Sequence, residues 1–202
     1  MKQLQDANEK FPSAEDCKIL EHPWQIFEYN DWAIRQDFEM ITEGRTSQEI
    51  SSDNKTICPE NIFVESGAKI IHSILNAETG PIYIGKNAEI QEGSLIRGPF
   101  ALCEGSRVKM GTKIYGATTI GPHCLAGGEI KNSILMGYSN KGQDGYLSDS
   151  VIGSWCNLGA GKSISNLKNT AGSVKVWSKK KNKFIEAGNN CVWSMGNNRR
   201  DG

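Results

Sequence analysis

Between residues 84 and 126 the aliphatic positions recur every six residues: Ile84, Ile90, Ile96, Leu102, Val108, Ile114, Ile120 and Ala126. Four residues after each stands Ala88, Ser94, Phe100, Ser106, Thr112, Thr118, Cys124 or Ile130, most of them small. A helix repeats its apolar face about every 3.6 residues and a half-buried strand every second residue, so neither gives a period of six. A fixed short period marks a solenoid. The pattern predicts a mainly β fold, a single-stranded left-handed parallel β-helix in which each hexapeptide is a short strand plus a corner. Three hexapeptides close one triangular coil. The aliphatic residue points into the prism, and small residues and glycines let the chain turn at the corners. Stacked coils pair strand on strand at about 4.8 Å, so equivalent inward positions form aliphatic columns. The left-handed crossover departs from the usual right-handed rule for parallel connections.

The register breaks twice. Val64 and Ile70 fit an earlier coil, but Asn76–Tyr83 holds two extra residues. After Ala126 the next in-phase residues are Ile134, Ile152, Leu158 and Ile164, with Ile134 to Ile152 counted as one coil of eighteen. The polar, glycine-rich stretch Gly137–Asp149 between them is expected to bulge from the prism, as a functional loop or as a solvated turn.

Outside the repeat, residues 1–12 read as a polar tail, and Ser13 caps a short helix through about Glu21. Pro23 at a first helical position, followed by Phe27, Ile34, Phe38 and Ile41, predicts a second helix that ends near Gly44. Arg45–Lys55 reads as a linker. Val174–Trp177 reads as a strand, and the rest of the chain has neither hexads nor a convincing cap. The expected division is 1–50 helical segment and linker, 51–177 β-helix, and 178–202 irregular tail.

Composition narrows the chemistry. Of the 202 residues, 23 are basic and 23 acidic, so no charge imbalance points to nucleic acid or a membrane surface. The 22 glycines against 6 prolines suit a folded chain with many turns. Cys17, Cys58, Cys103, Cys124, Cys156 and Cys191 form no C-x-x-C pair and no Cys/His cluster. They read as buried or idle thiols of a cytoplasmic protein rather than metal ligands. LGAGKSISN, Leu158–Asn166, ends its glycines in Gly-Lys-Ser like a phosphate loop, but the required earlier glycine is Cys156 and no helical period follows. Leu158 and Ile164 instead read as consecutive inward residues, with Gly159 and Gly161 serving close packing and a corner.

The stretches GPIYIGKNAEIQEGSLIRGPFALCEGSRVKMGTKIYGATTIGPH, GYSNKG, SVIGSWCNLGAG, NAETGPIYIG and SNLKN carry a further signal. From about Leu20 to Trp177 the chain resembles the C-terminal part of Bacteroidetes-type sugar-1-phosphate nucleotidylyltransferase-like proteins. These are relatives of the bifunctional N-acetylglucosamine-1-phosphate uridylyltransferase/glucosamine-1-phosphate acetyltransferase. The resemblance implies a sugar-nucleotide pathway protein with an acyltransferase-type β-helix, acetyl-CoA as acyl donor, a sugar phosphate or nucleotide-sugar as ligand, and a homotrimer. Magnesium would serve only the nucleotidyl domain, of which residues 1–50 resemble just the end. Against this family the chain reads as a fragment, with its last fifteen or so residues in an altered frame.

The family's site carries over position by position. The general-base histidine falls on Gln143, the sugar-binding lysine on Lys131, the tyrosine on Tyr146 and one asparagine on Asn157. A second asparagine, on the acyl-donor side, falls on Asn166, next to Leu167 where the family has tyrosine. Gln cannot usefully take the proton that an amine loses on attacking a thioester, the task for which His is suited. His123, expected at another corner, is the alternative base; His22 and His72 are weaker ones. The same positions also fit a bland account: asparagines at left-handed corners and solvated Lys131 and Tyr146. The alternative function is a non-catalytic oligomerisation or nucleotide-sugar-binding module.

Overall fold

The computed structural model describes residues 18–165, 172–178 and 181–187. Its body is a parallel β-solenoid of about five turns with three faces. Strands Lys55–Ile57, Ile74–Asn76, Leu95–Arg97 and Lys113–Tyr115 stack on the first face. Ile62–Val64, Ile82–Ile84, Phe100–Leu102 and Thr118–Ile120 stack on the second. Lys69–Ile70, Glu89–Ile90, Arg107–Val108, Leu125–Ala126 and Asn140–Lys141 form the third. Two longer strands, Glu129–Leu135 and Tyr146–Ile152, pair with each other and span the first and second faces in one run.

The period of six has a direct physical expression. All eight aliphatic positions from Ile84 to Ala126 are at most 2% exposed and belong to one continuous core. Their companions four residues on are equally buried, and all but Ile130, which is itself an inward strand residue above Ile114, sit beside the corners, where space is short. Their hydroxyls are therefore satisfied locally: Ser94 Oγ donates to the Gln91 carbonyl at 2.8 Å and Thr112 Oγ1 to that of Lys109 at 2.6 Å. A buried hydroxyl without such a partner would cost more than its methyl-sized packing returns.

Beyond Ala126 the register differs from the expectation. Leu135, not Ile134, pairs with Ile152 and joins the inner column; Ile134 pairs with Val151 and faces outward. The inward sequence is Ile130, Leu135, Lys141, Leu147 and Ile152. The shift begins at the third-to-first corner, where inward Ala126 and Ile130 are only four residues apart. It continues at the corner between the first and second faces, which shrinks to Asn132 (φ 43°) and Asp149 (φ 46°), joined by an Asn132 Nδ2–Asp149 Oδ1 hydrogen bond of 2.7 Å. Shorter corners bring Ile130 over Ile114 after sixteen residues and Leu147 over Ile130 after seventeen, so a pattern read in sixes loses its register. Gly137–Asp149 accordingly does not bulge: Ser139, Lys141, Leu147 and Ser148 are buried, and the segment supplies third-face strand Asn140–Lys141.

The helical segment is broken in two, α1 (Gln25–Glu28) and α2 (Asn30–Thr42), with Gly44 at φ 69° after the end. Trp24, Phe27, Asn30 and Ile34 form its buried stripe. That stripe lies on the outside of the solenoid, where Asn30 Oδ1 accepts from Thr119 Oγ1 (2.9 Å) and Asn30 Nδ2 donates to the Ala117 carbonyl. The expected short helix from Ser13 begins outside the described residues.

Residues 45–55 differ from a free linker. Gln48 accepts from Gly67 N–H and donates to the Ala68 carbonyl, both at 2.9 Å, and Asn54 spans Ser73 N–H and the Ile70 carbonyl in the same way. Each side-chain amide thus reproduces the peptide of a missing lower coil, and Ile50 packs on the core beneath. At the other end Lys175–Ser178 is a strand, as expected, but it lies outside the solenoid. It pairs antiparallel with Lys183–Glu186, inside the segment expected to be irregular. Val174, Val176, Ile185 and Ala187 of this hairpin pack with Trp24, Phe27, Ile134 and Val151. Ile134 and Val151 are therefore covered outer residues, which explains why both sides of those strands read as apolar.

Candidate functional site

The corner from the third face to the first carries most of the candidate site. It repeats at His72 (φ 43°), Gly93, Gly111, Gly128 and Gly145, all with positive φ. In the upper coils it is packed backbone against backbone. A Cβ on Gly145 would come within 2.2 Å of the Lys162 carbonyl oxygen, and one on Gly128 within 2.7 Å of that of Gly145. Gly145 at φ 133° has a conformation that side-chain-bearing residues rarely adopt, so this position requires glycine.

Gln143 lies on this corner with its side chain exposed, and Tyr146 follows it as the half-buried first residue of its strand. Lys131 is exposed on the adjoining first face, paired with Ser148, while Tyr146 pairs with Glu129. Two residues along a strand and one strand across place Lys131 about 8 Å from Tyr146 between Cα atoms. Lys113, Glu129, Asp144, Gly145 and Tyr146 border a shallow concavity there, and Lys113 Nζ is 2.8 Å from Glu129 Oε1. Glu129 holds the Lys113 ammonium above its ordinary pKa, by hydrogen bond first and by charge second.

Asn157 lies elsewhere, on the third face, bridged to Asn140 rather than at a left-handed corner. Its Oδ1 accepts from Asn140 Nδ2 at 2.8 Å, and Asn140 Oδ1 in turn accepts from Gly142 N–H at 2.8 Å. Asn157 therefore reaches the Gln143 corner only through Asn140. Asn166 lies outside the described residues.

Sequence reasoning missed Lys141. It occupies the inner third-face column above Ile90, Val108 and Ala126 and is 1% exposed. Its Nζ donates to the carbonyls of Gly127 (2.9 Å), Gln143 (2.7 Å) and Gly145 (3.2 Å). Burial pulls its pKa below the ordinary lysine range, with Asp144 offsetting part of the shift. The spacing Leu135–Lys141–Leu147, six and six, was the signal that could have found it.

The histidines stand apart from Gln143. His123 is at a corner, as expected, but that corner joins the second and third faces; at φ 55° its ring stacks on Tyr138, which stacks on Trp155. His72 sits at the first turn 3.5 Å from Asp53, and His22 stacks on Trp24. The LGAGKS glycines lie on the same corner column as Gly145. Gly161 (φ 69°) turns the chain and donates its N–H to the Asp144 carbonyl at 3.1 Å. Among the described residues, a Cβ on Gly159 would meet nothing within 4 Å. Among the described residues no helix is long and apolar enough to cross a membrane.

Two likenesses to known proteins bear on this architecture. Residues 1–46, which include α1 and α2, match the family model described as sugar nucleotidyl transferase. A UTP–glucose-1-phosphate uridylyltransferase of Synechocystis sp. is 28% identical over 130 residues, covering 62% of this chain and 31% of that protein. The chain thus spans about a third of the length of the curated relative it matches. With a β-solenoid behind the matched helices, the chain is similar to sugar nucleotidyltransferases and fits a protein of a sugar-nucleotide pathway.

Proposed function

We propose that the solenoid is the acyltransferase-type β-helix of a sugar-1-phosphate nucleotidylyltransferase/acetyltransferase-like protein, acting in the cytoplasm, and that its Gln143 corner binds a sugar phosphate or nucleotide-sugar. The observation that carries this reading is the meeting of Gln143 and Tyr146 on one corner, with Lys131 on the adjoining face. Lys131 and Tyr146, with Cα atoms about 8 Å apart, can approach a pyranose bearing a phosphate from two sides, the lysine acting as a point charge. The Gln143 amide can orient an amine by hydrogen bonding but cannot take its proton. With acetyl-CoA as acyl donor, the corner would still need a base to take the amine's proton. Magnesium would belong only to a nucleotidyl domain.

The missing base favours a second reading, a non-catalytic oligomerisation or nucleotide-sugar-binding module. In either case a homotrimer suits the first face, where Ile57, Ile74, Leu95 and Tyr115 are exposed beside Arg97 and Lys113. The two readings part in one experiment. Thiol release from acetyl-CoA with glucosamine 1-phosphate is measured for the chain and for Gln143→His. If the acyltransferase reading holds, the variant gains activity, by as much as ~10²–10⁴-fold, the usual worth of a general base. No gain, with glucosamine 1-phosphate still bound in calorimetry, leaves the binding module; no gain and no binding removes the acyltransferase and sugar-binding readings and leaves only oligomerisation.

A further inference from the structure

The third-face column is aliphatic at every level but one. A lysine there must remove an ammonium from water, and an aliphatic residue would fill the same column without that cost. The four methylenes of Lys141 do fill it, above the small Ala126. The ammonium then turns to the corner, where three carbonyls take its three hydrogens. Two of those carbonyls, from Gln143 and Gly145, belong to the loop that displays Gln143 and Tyr146.

Peptide planarity extends the consequence outward. In a trans peptide the C=O and N–H point in opposite directions. Drawing the Gln143 carbonyl inward to Nζ turns the Asp144 N–H away from the prism interior, while the Gly145 carbonyl is shared between Nζ and the Glu129 N–H of the coil below (3.1 Å). The Tyr146 N–H of the same peptide points up the stack, 3.3 Å from the exposed Ser163 Oγ of the next coil. From the other side Asn140 Oδ1 fixes Gly142 N–H, and Asn157 steadies Asn140. The loop is gripped from within by a lysine and from without by an amide pair.

We infer that Lys141 is a positioning residue, whose buried ammonium sets the peptide orientations of residues 143–146 and so the geometry in which Gln143 and Tyr146 meet a sugar phosphate. The ligand part of this statement rests on the function proposed above; the positioning part does not.

Lys141→Met keeps the column filled and removes the three donors. By hydrogen-exchange mass spectrometry of the full chain, amides 142–146 should exchange about tenfold faster or more, with residues 95–126 unchanged. Calorimetric affinity for glucosamine 1-phosphate should fall by a similar factor. Unchanged exchange at 142–146, or equal acceleration throughout the solenoid, overturns the inference, because Lys141 would then be only core filling. If the unaltered chain does not bind glucosamine 1-phosphate, the proposed function fails, while the exchange result still decides the positioning role. Should Lys141→Met not fold, the unaltered chain gives the answer by NMR. A slowly exchanging lysine ammonium signal is expected, and its absence overturns the inference.

Discussion

Asn30 is a polar residue in the buried stripe of a helix, and its replacement by alanine tests how the helices are held to the solenoid. The side chain makes two hydrogen bonds, accepting from Thr119 Oγ1 and donating to the Ala117 carbonyl. Each is worth about 0.5–1.5 kcal/mol net, and leaving the Ala117 carbonyl unpaired adds about 1–3 kcal/mol. The change should cost about 2–6 kcal/mol. Trp24, Phe27 and Ile34, each at least 94% buried, contribute about 1.5–3 kcal/mol apiece and keep the helices docked. The loss should appear as local opening: amides of 24–42 exchange at least roughly 30-fold faster, and up to about 20,000-fold, at about 1.4 kcal/mol per factor of ten, while those of 95–126 do not change. A cycle with Thr119→Val should recover a coupling of about 0.5–1.5 kcal/mol. If exchange at 24–42 is unaffected, or rises equally in the solenoid, Asn30 is not the local clamp described.

Two further predictions concern the core and the first coil. Ile120→Ala, at a fully buried column position, should cost about 2–5 kcal/mol in denaturant unfolding, whereas Ile74→Ala, outward and 39% exposed, should cost far less; equal losses would refute the inward assignment. Tyr83 donates to Glu65 Oε1 at 2.7 Å, and Arg45 clasps the same carboxylate. Burial first, then the hydrogen bond to Glu65 and its charge, push the Tyr83 phenol up to about 12. With the folded value above the unfolded value of about 10, this stabilisation is fully present below pH 10 and lost as pH rises through 12. The stability gap between the chain and Tyr83→Phe should therefore be constant up to pH 10 and shrink above it. Glu65 behaves oppositely: burial raises its pKa, but Tyr83 and Arg45 more than offset this, so its share is lost only as pH falls below the ordinary carboxylate range.

The site was partly legible before the fold was known. Gln143 and Tyr146 were found by resemblance, and the structure brings them to one corner, with Lys131 on the adjoining face. Lys141 was missed because a coil of eighteen counted from Ile134 to Ile152 assigns Ile134 to the core and treats the segment between as a bulge. Asn157 is not a corner residue, since what places it is a side-chain bridge from the coil below.

Local chemistry alone determined the solenoid. A period of six with small corner residues has no other economical burial, and the Ile84–Ala126 positions took the places that the repeat assigns them. Three-dimensional closure decided the rest. Only the finished coil sets whether a corner takes two residues or one, and a change of one residue turns an inward side chain outward. Only stacking brings Gln48 and Asn54 to the open edge of the first coil, Ile134 and Val151 beneath the helices and hairpin, and three carbonyls around the Lys141 ammonium. Those contacts join residues far apart in the chain, and nothing in a six-residue window records them.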